Sequence, residues 1–266
     1  MTDTQTPRWL DLPAPQPMPA PLSSGVMTLR GIEMYHAIYG PDVGLPVLMI
    51  HGGVGHADLW SAQVADLSRD HRVIVADTRG HGRSTNDGSD YEIPLLADDY
   101  IALLDALGVQ KLALVGWSDG ANIGLDLAAR HPERIARVFA HAGNVTLEGI
   151  DPAVNESEVF GRYVTEMAGA YAAMSATPAG WDSFLGGVSG MWAAAKPDGL
   201  EKLREITVPV TIVQSQYDEG IRMSHAQEMA HALPNGTLVV LPDVSHFAML
   251  QAPEDYSAAI RDFLSA

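Results

Sequence analysis

Four short apolar runs, each separated from the next by a helix-patterned segment, constrain this chain more than any other feature. Val47–Ile50 is wholly apolar, Arg72–Ala76 is rich in β-branched residues, and Lys111–Gly116 and Ile135–Ala140 repeat the theme. A strand without polar alternation is buried on both faces, the condition of a strand in a parallel sheet covered by helices. Ala57–Leu67, Pro94–Leu107 and Asp119–Arg130 supply the helical periods, with Gly108 and Pro132 as stop signals. Ahead of them, Gly25–Arg30 and Ile32–Tyr39 read as a hairpin turning near Gly31. The rhythm resumes at Val208–Gln214, His225–Leu233, Thr237–Leu241 and Pro253–Ser265, with Asn235-Gly236 as a turn. The spacing predicts an α/β fold: a mostly parallel sheet, right-handed crossovers, and helices on both faces. From about 146 to 206 no convincing strand occurs. Helices are expected around Glu156–Met174, Trp181–Ala195 and Leu200–Ile206. Such an insertion belongs above the carboxyl ends of the strands, where open α/β sheets bind ligands. The chain thus divides into a Pro-rich arm (1–24), a core (25–145 and 207–266) and a helical cap (146–206).

Length and charge narrow the partners. A chain of 266 residues, 47% hydrophobic, suits one compact domain with a sizeable core. Its formal net charge of -17 repels phosphate backbones, so nucleic acid is not an expected partner. The same charge keeps a protein soluble and attracts cationic substrates. The chain has no cysteine, which excludes disulfides, thiolate nucleophiles and thiolate metal sites and fits a cytoplasmic protein. Residues 1–24 carry Pro7, Pro13, Pro15, Pro17, Pro19 and Pro21 but no cationic start followed by an apolar run, so they do not read as a secretory signal. They read as an extended arm, partly polyproline II, packed on the surface or disordered. No apolar run approaches the ~20 residues that span a bilayer, and no membrane is expected. No feature sets an oligomeric state.

The chemistry is carried by Gly116-Trp117-Ser118-Asp119-Gly120-Ala121, where an expected strand ends and an expected helix begins. A Gly-x-Ser-x-Gly segment at such a junction turns sharply and presents the serine above the sheet, and its small neighbours relieve the crowding. The helix starting at Asp119 aims its positive end at the site, favouring a developing oxyanion. A serine hydroxyl needs a base. His246 follows the Thr237–Leu241 strand, and Asp218 follows the Val208–Gln214 strand, so both project from the sheet edge that carries Ser118. The roles follow: Ser118 as nucleophile, His246 as proton carrier, Asp218 as the acid that orients the imidazole. Glu219, adjacent to Asp218, is the competing acid, and Asp243 a weaker one. The loop His51-Gly52-Gly53-Val54-Gly55 offers the N–H of Gly53, or alternatively Val54, as an oxyanion donor beside the N–H of Asp119. His51 reads as structural. His51 and His56 lack the further ligands of a metal site, so no metal is expected. The loop Asp77–Ser84 reads as scaffold.

These residues together resemble the α/β-hydrolase superfamily across nearly all of 25–266. The resemblance rests on His51-Gly52-Gly53, on Asp77-x-Arg79-Gly80-His81-Gly82-x-Ser84, on the serine elbow and on the late His246, in that order. The elbow is also similar to that of small bacterial hydrolases and valacyclovirase-like esterases. The resemblance implies an eight-stranded, mostly parallel sheet with a helical cap, and no cofactor. A serine nucleophile argues against dehalogenase and epoxide-hydrolase activity, because both need a carboxylate there.

The expected activity is hydrolysis of a small carboxylic ester, with lactones included. Amide hydrolysis, carbon–carbon bond hydrolysis and perhydrolysis on the same triad stay open, as does a non-catalytic ligand receptor on the same fold. Trp117, Trp181 and Trp192 are the candidate substrate-binding residues. Phe160, Tyr163, Met167, Tyr171, Met174, Phe184 and Met191 share the helical segment, some as pocket wall and some as its own core. Asp119, next to the nucleophile, could hold a substrate ammonium. Otherwise it is a helix-start residue favoured by the dipole.

Overall fold

The computed structural model describes residues 6–194 and 199–266. The hairpin is formed by β1 (Ser23–Leu29) and β2 (Ile32–Tyr39), antiparallel, turning through Arg30 and Gly31 with φ 48 and 82. The strand begins at Ser23 rather than Gly25, because Ser23 and Ser24 pair with Ile38 and Ala37. The apolar runs become β3 (Val47–Ile50), β4 (Val73–Ala76), β5 (Leu112–Trp117) and β6 (Ile135–His141). Every residue of β3, β4 and β5 is buried, as their lack of alternation requires. The later strands are β7 (Val210–Ser215) and β8 (Gly236–Leu241).

Together they form one eight-stranded sheet in the order β1-β2-β4-β3-β5-β6-β7-β8. From β4 to β8 each neighbouring pair is parallel, and only the β1–β2 and β2–β4 pairs are antiparallel. The two-sided burial is completed by helices. Ser61–Leu67 (α1), which a tight turn at Ala57–Trp60 precedes, packs on the C-terminal helix Pro253–Ser265. Ile93–Ala106 (α2) packs on Asp119–Arg130 (α3), which lies against β5 and β6.

Between β6 and β7 the chain forms turns at Leu147–Gly149 and Pro152–Glu156, then α4 (Glu158–Met174), α5 (Trp181–Ala193) and α6 (Gly199–Leu203). No strand interrupts this stretch among the described residues. Ser157 caps α4 by accepting the N–H of Phe160, which places the start of that helix. The expected helix end at Ala195 lies outside the described residues, and α6 stops at Leu203, short of Ile206. The remaining helices are α7 (Met223–Ala232), the short α8 (Ala248–Gln251), which the sequence pattern did not signal, and α9, the C-terminal Pro253–Ser265. No described helix is long and apolar enough to cross a membrane.

Residues 8–12 of the N-terminal arm are ordered by specific contacts. Trp9 stacks on Tyr217 with ring centroids 4.0 Å apart. Arg162 of α4 donates to the Leu10 carbonyl at 2.6 Å, Gln251 donates to the Asp11 carbonyl at 2.8 Å, and Leu12 is buried. The arm therefore touches α4, the loop after β7 and the end of α8 together. Residues 1–5 of the expected arm lie outside the described residues.

Candidate active site

Ser118 sits between β5 and α3 with φ 55 and ψ -118. That backbone region costs a non-glycine residue about 1–3 kcal/mol and persists only where packing enforces it. The enforcement is visible. A Cβ on Gly116 would collide with the Gly120 carbonyl, and a Cβ on Gly120 with the Ile50 carbonyl, so only glycine permits the close approach of elbow and β3. Ser118 donates its N–H to the His141 carbonyl at 2.8 Å, and its own carbonyl accepts from Ala121 and Asn122. The helix that follows points its N-terminus at the serine.

His246 and Asp218 come from the loops after β8 and β7. His246 Nδ1–H donates to Asp218, at 3.1 Å to Oδ1 and 3.2 Å to Oδ2. Asp218 Oδ1 also accepts the N–H groups of Gly220 (2.9 Å) and Ile221 (2.8 Å). Both side chains are almost fully buried, at 5% and 1% exposure. Burial works against the Asp218 charge, but the imidazole and its hydrogen bonds outweigh it and hold the carboxyl below its ordinary value. Burial likewise opposes the imidazolium of His246, yet Asp218, then Glu219 and Asp119, raise its pKa above the ordinary histidine value. With Nδ1 committed to Asp218, Nε2 is the nitrogen left for the cavity. Among the described residues no hydrogen bond joins Ser118 to His246. Such contacts commonly tighten only once substrate is bound.

The competing acids lie elsewhere. Glu219 Oε2 accepts the backbone N–H of His246 at 3.0 Å and, among the described residues, makes no hydrogen bond to the ring. Asp243 is exposed, with φ 54, and donates its N–H to Gln216.

A cavity of about 630 Å³ is lined by Ser118, His246, Gly53, Asp119 and Trp117 on the core side. Phe160, Tyr163 and Trp192 line it from α4 and α5. Gly53 and Asp119 thus lie beside Ser118 on the cavity wall. The loop that carries Gly53 is tied down on three sides. His51 Nδ1–H donates to the Gly52 carbonyl at 2.7 Å, and its Nε2 accepts the Thr78 N–H at 3.0 Å, so its role is structural. Tyr163 donates its hydroxyl to the Gly53 carbonyl at 3.0 Å. Val54, the alternative donor, is buried with φ 54. The Asp77 loop supports this from below: Asp77 accepts from the Ala57 N–H and from Arg83.

The three tryptophans part company. Trp192 reaches the cavity and donates Nε1–H to Asp119 Oδ2 at 2.8 Å, so the Asp119 carboxylate is already engaged by the helical segment. Trp117 lines the cavity but is 1% exposed, and its Nε1–H donates to the His246 carbonyl at 2.8 Å. It holds the histidine loop more than it offers surface. Trp181 does not line this cavity. It packs on Tyr171 and Phe184 inside the helical segment, and this corrects its expected place in the pocket. Wall residues that the sequence pattern did not single out include Ile150, Val154, Ile221 and Arg222. They lie in turns, where no periodicity marks the inward face. Among the described residues no cluster of potential metal ligands occurs.

Sheet order, elbow and the position of the cavity define an α/β hydrolase. Residues 46–180 match the family described as alpha/beta hydrolase fold, and the chain belongs to it. Among curated relatives, a Caulobacter protein named as a carbamate hydrolase, RutD, is 28% identical over 259 residues, covering 87% of this chain and 96% of the relative. The 3-oxoadipate enol-lactonase 2 of Acinetobacter baylyi is 26% identical, covering 88% of this chain and 94% of the relative. Among solved structures, Est816, described as an N-acyl homoserine lactone degrading enzyme, superposes with a TM-score of 0.75 at 25% identity, covering 90% of this chain and 100% of that one.

Proposed function

We propose that this chain is a serine hydrolase of small carboxylic esters, lactones included, working through an acyl-enzyme on Ser118. The observation that carries the reading is the held imidazole. Asp218 takes Nδ1–H, which leaves Nε2 as the acceptor in a cavity that also holds a serine on strained backbone.

In this reading His246 Nε2 takes the Ser118 proton as Oγ attacks the substrate carbonyl carbon. The negative charge that develops on the carbonyl oxygen is met by the N–H groups of Gly53 and Asp119, with Val54 as the alternative to Gly53. Collapse of the tetrahedral adduct expels the alkoxide, which takes the proton back from His246. Water, deprotonated by the same nitrogen, then releases the acid and restores Ser118. Asp218 holds the imidazole tautomer and stabilises the imidazolium.

The segment 146–206 serves as the cap, with Phe160 and Trp192 as substrate-facing wall. Cavity size limits the substrate to a small molecule. Two of the relatives named above are described as acting on lactones, which supports placing cyclic esters beside open ones. The absence of cysteine supports a cytoplasmic setting.

The test is hydrolysis of p-nitrophenyl esters from acetate to octanoate and of matched lactones, by the protein and by Ser118→Ala. The expected result is turnover with a chain-length optimum, reduced at least ~10³-fold in the variant. Equal activity in both proteins, or none in either, overturns the proposal.

A further inference from the structure

Asp218 and Glu219 are neighbours in sequence, yet their carboxylates reach different parts of His246. Asp218 takes the ring. Glu219 Oε2 accepts the His246 backbone N–H at 3.0 Å, and its other oxygen, Oε1, is buried without a hydrogen-bond partner. A carboxylate is a costly way to satisfy one backbone N–H, because burying a charge costs far more than burying an amide. The mechanism above uses one of these two acids and gives the second no part.

We infer that Glu219 is a positioning residue that anchors the histidine loop and whose charge sets the pH at which His246 becomes available as a base. The inference rests on the reading of His246 as the base.

The charged and titratable surroundings of His246 come from several elements. Asp218 and Glu219 lie on the loop after β7, Asp119 at the start of α3, and His141 at the end of β6. Tyr163 of α4 and Arg222, just before α7, line the same cavity. Of these, Glu219 is the carboxylate bonded to the histidine's own backbone. Its position also makes it respond to the ring. Burial, then repulsion from Asp218, raises the Glu219 pKa, while His246 works against that rise. An imidazolium at position 246 therefore favours an ionised Glu219, and an ionised Glu219 favours the imidazolium. The result is a stronger base whose working range starts at higher pH.

Glu219→Gln keeps an oxygen for the His246 N–H and removes the charge. The acid limb of the kcat/KM profile on a p-nitrophenyl ester is expected to move to lower pH by about one to two units. That is the effect of a unit charge several ångströms from the ring at an effective dielectric of about 20–40. Glu219→Asp draws the charge back by one methylene and is expected to move the limb less. NMR titration of the His246 imidazole in the same proteins reads the shift without any substrate. If His246→Ala retains ester turnover, the assignment of the base fails and this inference with it. If His246 is required but neither the limb nor the imidazole titration moves in Glu219→Gln, this inference alone is overturned. Should Glu219→Gln fail to fold, wild type and Glu219→Asp carry the test. A limb at the same or higher pH in Glu219→Asp overturns the inference, and a lower one supports it.

Discussion

One methyl group at position 53 probes the whole site. A Cβ on Gly53 runs into Asp119 Oδ2 and comes within 2.5 Å of Trp192 Cζ2 and 3.1 Å of Cε2. Relaxed carbon contacts lie at about 3.5–4.0 Å, so something must retreat by about 1 Å. The indole is not a loose end, because its Nε1–H is bonded to Asp119 at 2.8 Å. Either that bond breaks, or the loop backs away and carries the Gly53 N–H from Ser118. Overpacking of this kind costs about 1–3 kcal/mol, which for a chain of this size lowers Tm by roughly 2–12 °C. Withdrawal of one oxyanion donor costs about 10²–10³-fold in kcat. The assay is kcat and KM on p-nitrophenyl butyrate with thermal melting, for Gly53→Ala and for Gly53→Ala combined with Trp192→Ala. The double variant removes the indole and is expected to recover part of the lost Tm. An unchanged Tm in Gly53→Ala refutes the packing argument. A lowered Tm with wild-type kcat refutes withdrawal of the loop and means that the Trp192–Asp119 bond gave way instead.

Three further outcomes follow from the packing. Burial holds the pKa of His51 down to about 4 and those of His81 and His141 to about 3. The unfolded chain binds these protons from about pH 6.5 downward, so the stability the neutral rings contribute is complete above that pH and lost as pH falls toward the folded values. Urea unfolding from pH 7 to 5 is expected to show a loss of up to roughly 4 kcal/mol per pH unit for the three together, and a flat profile over that range refutes it. In the helical segment, Phe160→Ala is expected to shift the preferred p-nitrophenyl ester to a longer acyl chain. Trp181→Ala is expected to lower Tm and leave the chain-length profile unchanged. A shifted profile in Trp181→Ala contradicts its place in the segment's own core.

The core was legible because burial and local periodicity coincide there. Asp119–Arg130 emerges with its bounds unchanged, since strand, elbow and helix each leave a local mark. The start of β7 is shifted because the ladder's residue pairs begin at Val210, with Pro209 contributing only its carbonyl to the Val138 N–H, and apolarity alone does not report a ladder. In the site, Ser118, Asp218 and His246 are brought to one edge by topology, and that edge can be read from element order. Which aromatics of the helical segment face inward depends on how α4 and α5 cross, and this leaves no local trace. Hence Phe160 and Trp181 look alike in sequence, and only one reaches the cavity. The division of labour between Asp218 and Glu219 is equally invisible, since adjacent side chains diverge only once the loop after β8 is folded beside them. The arm's proline spacing announced an extended chain and said nothing of Trp9 or its partner Tyr217.

That arm has a place in the order of synthesis. Asp11 and Gln251 are 240 residues apart, so at about 5–20 residues per second the second is made roughly 10–50 s after the first. For most of that interval Trp9 has no Tyr217 to stack on, and for all of it Arg8 has no Asp255. The serine elbow can be complete long before the arm has anything to hold. The fastening that spans α4, the acid loop and the residue before His246, to whose N–H Gln251 is bonded, closes only when the last helices emerge. The first described stretch of the chain thus cannot be fully fastened until the last helices are made, and the nascent protein carries Ser118 well before it carries that fastening.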